Sequence, residues 1–390
     1  MATVFLKPGR EARVESGHLW VYAGEIARID GKVDDGGIVD VRRYRGRWLG
    51  RGFINRKSSL TVRLLTRRSE EIDEEFFRRR LTDAWSYRRR MLFATDACRV
   101  VYGEGDLLPG LIVDRYGDVL VLQTLALGMD TRKEMLAGLL TELLQASAIY
   151  ERNDPAVRML EGLPRRTGWL RGERDPVVEI RDGPARFLVD VAAGQKTGFF
   201  LDQRDNRMAA AALVKDMAVL DAFCYTGGFT VLAALGGAKS VTAVDSSQEA
   251  LALARRNADL NGVAERCTFV VANAFDELRR LSSSGPRFDA VILDPPAFAP
   301  SKESLERAAA GYKEINLRAL KALRAGGFLV TCSCSSHMPE NVLMQIVAAA
   351  AVDAKREVRL VETRGHARDH PVHPAMPETR YLTCLILEVR

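Results

Sequence analysis

Cysteine is scarce in this 390-residue chain: Cys98, Cys224, Cys267, Cys332, Cys334 and Cys384 fit no disulfide-framework spacing. A stapled secreted scaffold is therefore excluded, and a reducing compartment is the expectation. Long apolar runs are missing too. None approaches the roughly 18 residues that span a bilayer, and the opening Met-Ala-Thr-Val-Phe-Leu-Lys-Pro has no apolar core of a secretory leader. These absences point to a cytoplasmic protein with no membrane contact. No internal repeat or low-complexity tract interrupts the chain. Its 47% hydrophobic content is ordinary for a soluble globular protein, and its length suits two or three domains.

Negative charge is depleted at one end. Residues 1–68 carry 15 Lys/Arg against 7 Asp/Glu, a net +8, within a whole-chain net of +6. So localised a charge suits a phosphate-backbone contact surface, although a solvated basic face would read the same way. Trp20, Tyr22, Tyr44, Trp48 and Phe53 lie among these arginines and lysines, as in surfaces that stack single-stranded RNA, and many such rings are simply core.

The chain reads as three parts. Residues 1–68 alternate with period two between glycine turns, with strands at 38–41, 48–53 and 60–65, which predicts a small β-barrel. Residues 69–186 begin with a helix over Ser69–Arg90, Ser69 being its expected N-cap, acids filling its first turns and arginines following. A central α/β segment comes next, with strands near 111–114, 119–124 and 148–151 and a helix over 130–145. Residues 187–390 alternate strands (218–221, 240–245, 267–271, 290–294, 327–331) with helices, and a closing strand lies at 381–389. This is the rhythm of a doubly wound, mostly parallel α/β sheet of Rossmann type.

Three strand ends in this last part form a set. The first runs into Asp221-Ala222-Phe223-Cys224-Tyr225-Thr226-Gly227-Gly228-Phe229, glycines at a strand-to-helix turn that let a ligand approach the backbone. The dinucleotide fingerprint G-x-G-x-x-G is absent, which disfavours NAD and favours a nucleoside lacking phosphates. The second strand ends in Asp245, placed to accept from both ribose hydroxyls. The third ends at Asn273-Ala274, where an amide can meet an adenine edge. In this order the three indicate S-adenosylmethionine.

Two further strand ends carry chemistry: Ile292-Leu293-Asp294-Pro295-Pro296 and Leu329-Val330-Thr331-Cys332-Ser333-Cys334. They place an acid and a thiol on one pocket. That pair suits attack on a pyrimidine, the thiol adding at C6 and the carboxyl group hydrogen-bonding the ring nitrogen. Cys332 and Cys334 share a face if the strand continues, so the residues alone leave both open as nucleophile. Cys98, Cys267 and Cys384 read as small buried hydrophobes and Cys224 as packing. Cys332, Cys334 and His337 have metal-like spacing without an obvious fourth ligand, and His366, His370 and His373 lie on a proline-rich loop, so no metal is expected.

On these segments, together with Gln195 to Arg204, Gly311 to Asn316 and Asp369 to Leu382, residues 187–390 resemble a class I S-adenosylmethionine-dependent methyltransferase. The whole chain resembles the large-subunit ribosomal RNA cytosine-C5 methyltransferases that carry an N-terminal PUA domain. The resemblance implies cofactor contacts from Phe199, Gln203, Arg204, Asp221, Phe223, Tyr225, Gly227, Asp245, Ser246, Asn273, Ala274 and Asp294. It also implies Cys332 as nucleophile and Asp294 against the cytosine. The family often has an acid where Asn273 stands. Further implications are an RNA-binding PUA-like barrel over 1–68, a large-subunit ribosomal RNA or precursor substrate, and compatibility with a homodimer. Base-nitrogen methylation, such as at guanine N7, needs no thiol and is the rival chemistry; a non-catalytic ribosome-assembly factor is the rival class.

Overall fold

The computed structural model describes residues 1–285, 287–298 and 305–390. The chain divides into two units: residues 1–180, 189–199 and 368–379, and residues 181–188, 200–367 and 380–390.

The first unit opens with β1 (Ala2–Leu6), the single-turn α1 (Ala12–Glu15), β2 (Trp20–Tyr22), β3 (Ile26–Asp30), β4 (Ile38–Arg42), β5 (Trp48–Ile54) and β6 (Leu60–Thr66). These form a six-stranded sheet in the order β2-β6-β5-β4-β1-β3, antiparallel except for the β1–β4 pair. Val4, Leu6, Val21, Val39, Val41, Ile54, Val62 and Leu64 fill its core. Gly52 in β5 is required by close approach, since a Cβ there would sit 2.0 Å from the Arg63 carbonyl oxygen.

Helix α2 (Glu74–Met91) starts later than the composition suggests. Asp73, and not Ser69, is its N-cap, accepting from the Phe76 N–H at 2.9 Å. Glu70 is instead engaged by the Thr66 hydroxyl and by Arg79, which keeps residues 67–72 out of the helix. Phe76, Phe77, Leu81 and Ala84 make the buried stripe of α2. It lies in a core shared with β7 (Ala97–Tyr102), β8 (Leu111–Tyr116), β9 (Val119–Thr124), α3 (Leu127–Asp130), α4 (Lys133–Leu144) and β10 (Ala148–Asn153). With β11 (Arg166–Arg171) these strands form a second sheet in the order β11-β10-β9-β8-β7. The β9–β10 pair is parallel, so α3 and α4 make the crossover that parallel pairing demands. A hairpin of β12 (Val177–Asp182) and β13 (Ala185–Asp190) follows, its turn end belonging to the second unit.

The second unit runs α5 (Arg204–Ala211), β14 (Ala218–Ala222), α6 (Gly228–Leu235), β15 (Ser240–Asp245), α7 (Gln248–Leu260), β16 (Cys267–Val271), α8 (Ala274–Ser284), β17 (Phe288–Leu293), α9 (Leu305–Ala322), β18 (Leu323–Ser333), α10 (Glu340–Ala354), β19 (Val358–Arg364) and β20 (Thr383–Val389). The sheet order is β16-β15-β14-β17-β18-β20-β19. Strands β14 to β18 are parallel, and β20 enters antiparallel to both neighbours. The Rossmann-like sheet is therefore present, with two additions to the five parallel strands. One is the expected closing strand. The other, β19, was not legible because it is a largely exposed edge with little apolar alternation. Strand order reverses at β14, with β15 on one side and β17 on the other, so a crevice opens at the carboxyl ends of these strands.

Candidate functional site at the carboxyl edge of the second-unit sheet

The loop leaving β14 is the most constrained backbone of the site. Phe223 (φ 65°) and Tyr225 (φ 49°) are both left-handed, a conformation that non-glycine residues adopt at a cost, and Gly227 (φ 81°) follows. Gly227 also packs closely on α7, where a Cβ would come within 3.1 Å of the Ala254 side chain. Hydrogen bonds hold the turn. The Cys224 N–H donates to the Val244 carbonyl (3.1 Å), the Tyr225 N–H to Asp245 Oδ2 (2.8 Å), and Asn257 Nδ2 to the Thr226 carbonyl (2.9 Å). Cys224 is buried, as packing predicts.

Asp245 ends β15 in parallel register beside Val271 of β16. Its Oδ1 accepts from the Ser247 N–H at 3.0 Å, so the carboxylate is fixed by two backbone donors and keeps further lone pairs for a ligand. Ser246 beside it is exposed. Asn273 caps α8, its Oδ1 accepting from the Phe275 N–H at 2.9 Å. That bond engages the amide oxygen and not the NH2 group. Ala274 is the buried first residue of α8. Phe223, Phe275, Phe298 and Tyr312 form an aromatic chain, with ring centroids 6.1 Å (223–275), 5.6 Å (275–298) and 4.8 Å (298–Tyr312) apart. The Tyr225 ring meets Phe200 edge-on at 5.3 Å.

Asp221 is fully buried at the end of β14. Thr230 donates to its Oδ2 at 2.6 Å, while Oδ1 has no hydrogen-bond partner among the described residues. Burial, reinforced by the charges of Asp294 and Asp245 and opposed by the Thr230 bond, pushes its carboxyl group up to about 7. Asp294 follows β17, and its Oδ1 accepts from Gln203 Nε2 at 2.7 Å. Gln203 Oε1 in turn accepts from Asn206 Nδ2 at 2.7 Å.

Cys332 lies on β18 one position past the Leu293–Thr331 register pair and directly opposite Cys384 of β20. It is fully buried. The Cys384 thiol, burial and the Asp294 charge raise it well above the ordinary thiol range, and Gln203 opposes them. Cys334, just beyond the strand, is partly exposed, with Sγ 3.8 Å from the Pro295 carbonyl oxygen. Both thiols thus neighbour the Asp294-Pro295 segment. Cys384 is a thiol partner and not only the packing residue that its sequence suggests. Cys267, expected to be buried, is partly exposed because it opens the edge strand β16.

Arg204 and Phe199 have protein partners of their own. Arg204 Nε donates to Asp182 Oδ1 at 2.5 Å, and Arg207 Nη2 donates to Asp182 Oδ2 at 2.8 Å, so both guanidiniums anchor the hairpin turn. Phe199 belongs to the first unit, where its N–H donates to Tyr116 Oη at 3.2 Å. Sequence reasoning missed Thr230, Asn206 and Asn257. Asn257 had a signal: it is a polar residue at helical spacing on the apolar face of α7 made by Ala250, Leu251, Ala254 and Ala258.

Comparison with known proteins places this geometry. Residues 161–376 match the S-adenosylmethionine-dependent methyltransferase family, and residues 4–67 match a PUA-like domain. Among similar curated proteins, one from Aeromonas hydrophila, named ribosomal RNA large subunit methyltransferase I, is 43% identical over 395 residues, covering 100% of each chain. One of the same name from Klebsiella pneumoniae is 41% identical over 382 residues, 97% of this chain and 96% of the relative. The chain belongs to this methyltransferase family. Solved structures agree on the fold. A methyltransferase complexed with SAH superposes with a TM-score of 0.86 at 20% identity, covering 99% of this chain and 100% of that one. A methyltransferase from Streptococcus mutans gives 0.83 at 19% identity, with the same coverage.

The cofactor of the family is S-adenosylmethionine, and the residues here fit it. Its sulfonium and ammonium groups would suit a place where Asp221 is fully buried beside the charges of Asp294 and Asp245, and where Asp221 Oδ1 and Thr226 Oγ1 are buried with no hydrogen-bond partner among the described residues. Gly227 and Tyr225 offer backbone at the turn, and the rings from Phe223 to Tyr312 offer an apolar surface. Among the described residues no group of three or more His, Cys, Asp or Glu could hold a metal ion, and no helix is long and apolar enough to cross a membrane.

Proposed function

We propose that this enzyme methylates C5 of a cytosine in large-subunit ribosomal RNA through a covalent cysteine adduct at C6. The relatives' names support the substrate. The chemistry rests on one observation: two thiols, Cys332 and Cys334, stand beside the Asp294-Pro295 segment at the carboxyl edge of the sheet. Pyrimidine C5 is a weak nucleophile. Addition of a thiolate to C6 pushes electron density to C5, while the Asp294 carboxyl group, protonated in the substrate complex, donates a hydrogen bond to the ring nitrogen and stabilises the charge that builds there. The cofactor supplies an electrophilic methyl group. C5 takes that methyl group as its bond to sulfur breaks and a neutral thioether leaves, a base removes the C5 proton, and elimination expels the thiolate from C6.

Cys332 is the proposed nucleophile because it neighbours both Asp294 and Gln203 and forms one row with Asp294 across the parallel strands. Cys332 is fully buried, and the Cys384 thiol, burial and the Asp294 charge hold its pKa well above the ordinary thiol range, so the thiol is protonated in the free enzyme. The exposure of Cys334 favours a second reading in which that thiol adds to C6. Incubation with a large-subunit ribosomal RNA fragment carrying 5-fluorocytidine decides between them, because fluorine blocks the elimination and traps the adduct. A denaturation-stable complex in the wild type and Cys334→Ala, but not in Cys332→Ala, supports the first reading. The reverse pattern assigns the role to Cys334. Methylation of another base with no adduct would overturn the thiol mechanism.

A further inference from the structure

A row of hydrogen bonds in the second unit leads to Asp294 from residues that the mechanism above does not use. It starts at Arg364, the last residue of β19, passes through Asn206 on α5 and Gln203 in the short turn before that helix (Leu201–Gln203), and ends at Asp294. Asn206 is fully buried, Gln203 nearly so, and Arg364 half-buried. Arg364 Nε donates to Asn206 Oδ1 at 3.1 Å, while its Nη1 is paired with Glu362. Asn206 Nδ2 donates to Gln203 Oε1 at 2.7 Å and to the Gly365 carbonyl at 3.1 Å. Gln203 Nε2 in turn donates to Asp294 Oδ1 at 2.7 Å.

The chemistry of the end groups dictates the direction of this row. A guanidinium can only donate, and a carbonyl oxygen can only accept. Turning the Asn206 amide over would set its NH2 against Arg364 and its oxygen against the Gly365 carbonyl, so two neighbours of opposite kind fix it independently. With the Asn206 NH2 directed at Gln203, the Gln203 oxygen faces Asn206 and its own NH2 faces Asp294. Gln203 also opposes the upward push on the Cys332 thiol, as an N–H donor at sulfur would.

The consequence lies in the proton of Asp294. A carboxyl oxygen that faces an N–H donor leaves no place for a hydrogen of its own, so a protonated Asp294 carries its hydrogen on Oδ2. The ring nitrogen N3 is an acceptor in cytosine and a donor in uracil. An O–H at Oδ2 matches the first and opposes the second.

We propose that Asn206 and Arg364 are positioning residues that make the site select cytosine over uracil, by fixing the Gln203 amide so that the Asp294 proton stands on Oδ2, toward the base. The inference rests on the cytosine-C5 reading above and adds the source of its base specificity. Both residues act through Gln203.

The test traps covalent adducts on the full-length protein. Large-subunit ribosomal RNA transcribed with 5-fluorocytidine first locates the reactive position, and a fragment spanning it is then made with 5-fluorocytidine or 5-fluorouridine at that position. The quantity read is the ratio of adduct-formation rates on the two fragments. In Asn206→Asp the side chain can no longer donate to Gln203, whose amide turns its NH2 to the new carboxylate and its oxygen to Asp294. The Asp294 proton then moves to Oδ1, and the ratio should fall by about tenfold or more, as a site built around one hydrogen bond loses its discrimination when that bond is reversed. Because Asn206 is fully buried, Arg364→Gln is the second variant. Its amide can present an oxygen to Asn206 and should lower the ratio about threefold, while Arg364→Lys, still a donor only, should restore most of it. An unchanged ratio in Asn206→Asp, or in Arg364→Gln where the first variant does not fold, would overturn the proposal. Equal losses of rate on both bases, which a purely structural role predicts, would overturn it too. No adduct on 5-fluorocytidine in the wild type would instead count against the cytosine-C5 reading itself.

Discussion

Replacing Asp221 by asparagine should stabilise the cofactor-free protein at alkaline pH and weaken its hold on S-adenosylmethionine. Asp221 is fully buried, has one oxygen without a partner, and titrates near 7 where an ordinary aspartate titrates near 3.8. A carboxyl group whose folded pKa is raised binds its proton more tightly in the native state than in the unfolded chain. Its contribution to stability is therefore complete below about pH 3.8, falls as pH rises, and levels off above about 7. At about 1.4 kcal/mol per pH unit, the gap sets a ceiling of about 4 kcal/mol on the cost of ionised Asp221 at pH 8. Relaxation, and the unpaired amide hydrogens of the asparagine, reduce the expected gain to about 2 kcal/mol.

Urea denaturation at pH 5 and pH 8 without cofactor checks this. The advantage of Asp221→Asn over wild type should be larger at pH 8 than at pH 5 by about 1–2 kcal/mol, because most of the wild-type loss between those values is the ionisation of this one group. Thr230 can still donate to the asparagine oxygen, so the hydrogen bond that orients the side chain survives. Cofactor affinity, measured by calorimetry at pH 8, should fall at least tenfold if the cofactor's cationic groups are placed as proposed, since a neutral amide then replaces the carboxylate beside them. An equal stability difference at both pH values would refute the reasoning, and so would undiminished cofactor affinity.

Asp182→Asn should destabilise the second unit by about 3–5 kcal/mol, because it leaves Arg204 and Arg207 buried against a neutral amide. Burial alone would raise Asp182, but the two arginines hold it below the usual carboxylate value, so its stabilisation is present above about pH 3.8 and disappears as pH falls through its folded pKa. Acid denaturation of the variant should lose that limb. Asn257→Ala removes the donor to the Thr226 carbonyl and the acceptor of the Leu188 N–H; a loss of about 1–3 kcal/mol in denaturation and about fivefold weaker cofactor binding are expected, as the glycine turn loosens. Gly128→Ala would place a Cβ 2.1 Å from the Phe53 ring, and the overpacking should lower first-unit stability by about 1–3 kcal/mol in thermal melts.

The parts of the fold legible in the sequence are those set by local pattern. The parallel strands β14 to β18 announced themselves as short apolar runs, and because each ends on the same sheet edge, Asp221, Asp245, Asn273, Asp294 and Cys332 could be grouped before any coordinates. What stayed hidden depends on contacts distant in sequence. Nothing around Arg204 indicates that its partner is Asp182, in a hairpin twenty-two positions earlier. Cys384 looked like an isolated buried thiol because its position opposite Cys332 follows from the antiparallel entry of β20, which no local pattern specifies. The N-terminus of α2 was misplaced by four residues because Ser69 and Asp73 are both good caps, and the Thr66–Glu70 contact decides between them.

The features that defeat local reasoning also show how the site is kept ready. Two non-glycine residues, Phe223 and Tyr225, hold left-handed backbone, at about 1–3 kcal/mol each. Asp221 remains buried and incompletely satisfied beside two other carboxylates. None of these stabilises the protein by itself, and each persists because neighbours over-determine it: Asp245 and Val244 fix the turn's amides, Asn257 its Thr226 carbonyl, and Gln203 the Asp294 carboxylate. A ligand that brings positive charge and donors into the cluster relieves the electrostatic part of that cost as it binds. The Cys332 thiol is held up first by the Cys384 thiol and by burial, with the Asp294 charge adding to both, so a cation in the cluster would relieve the last of these causes. On the proposed mechanism, cofactor binding would therefore favour thiolate formation at Cys332.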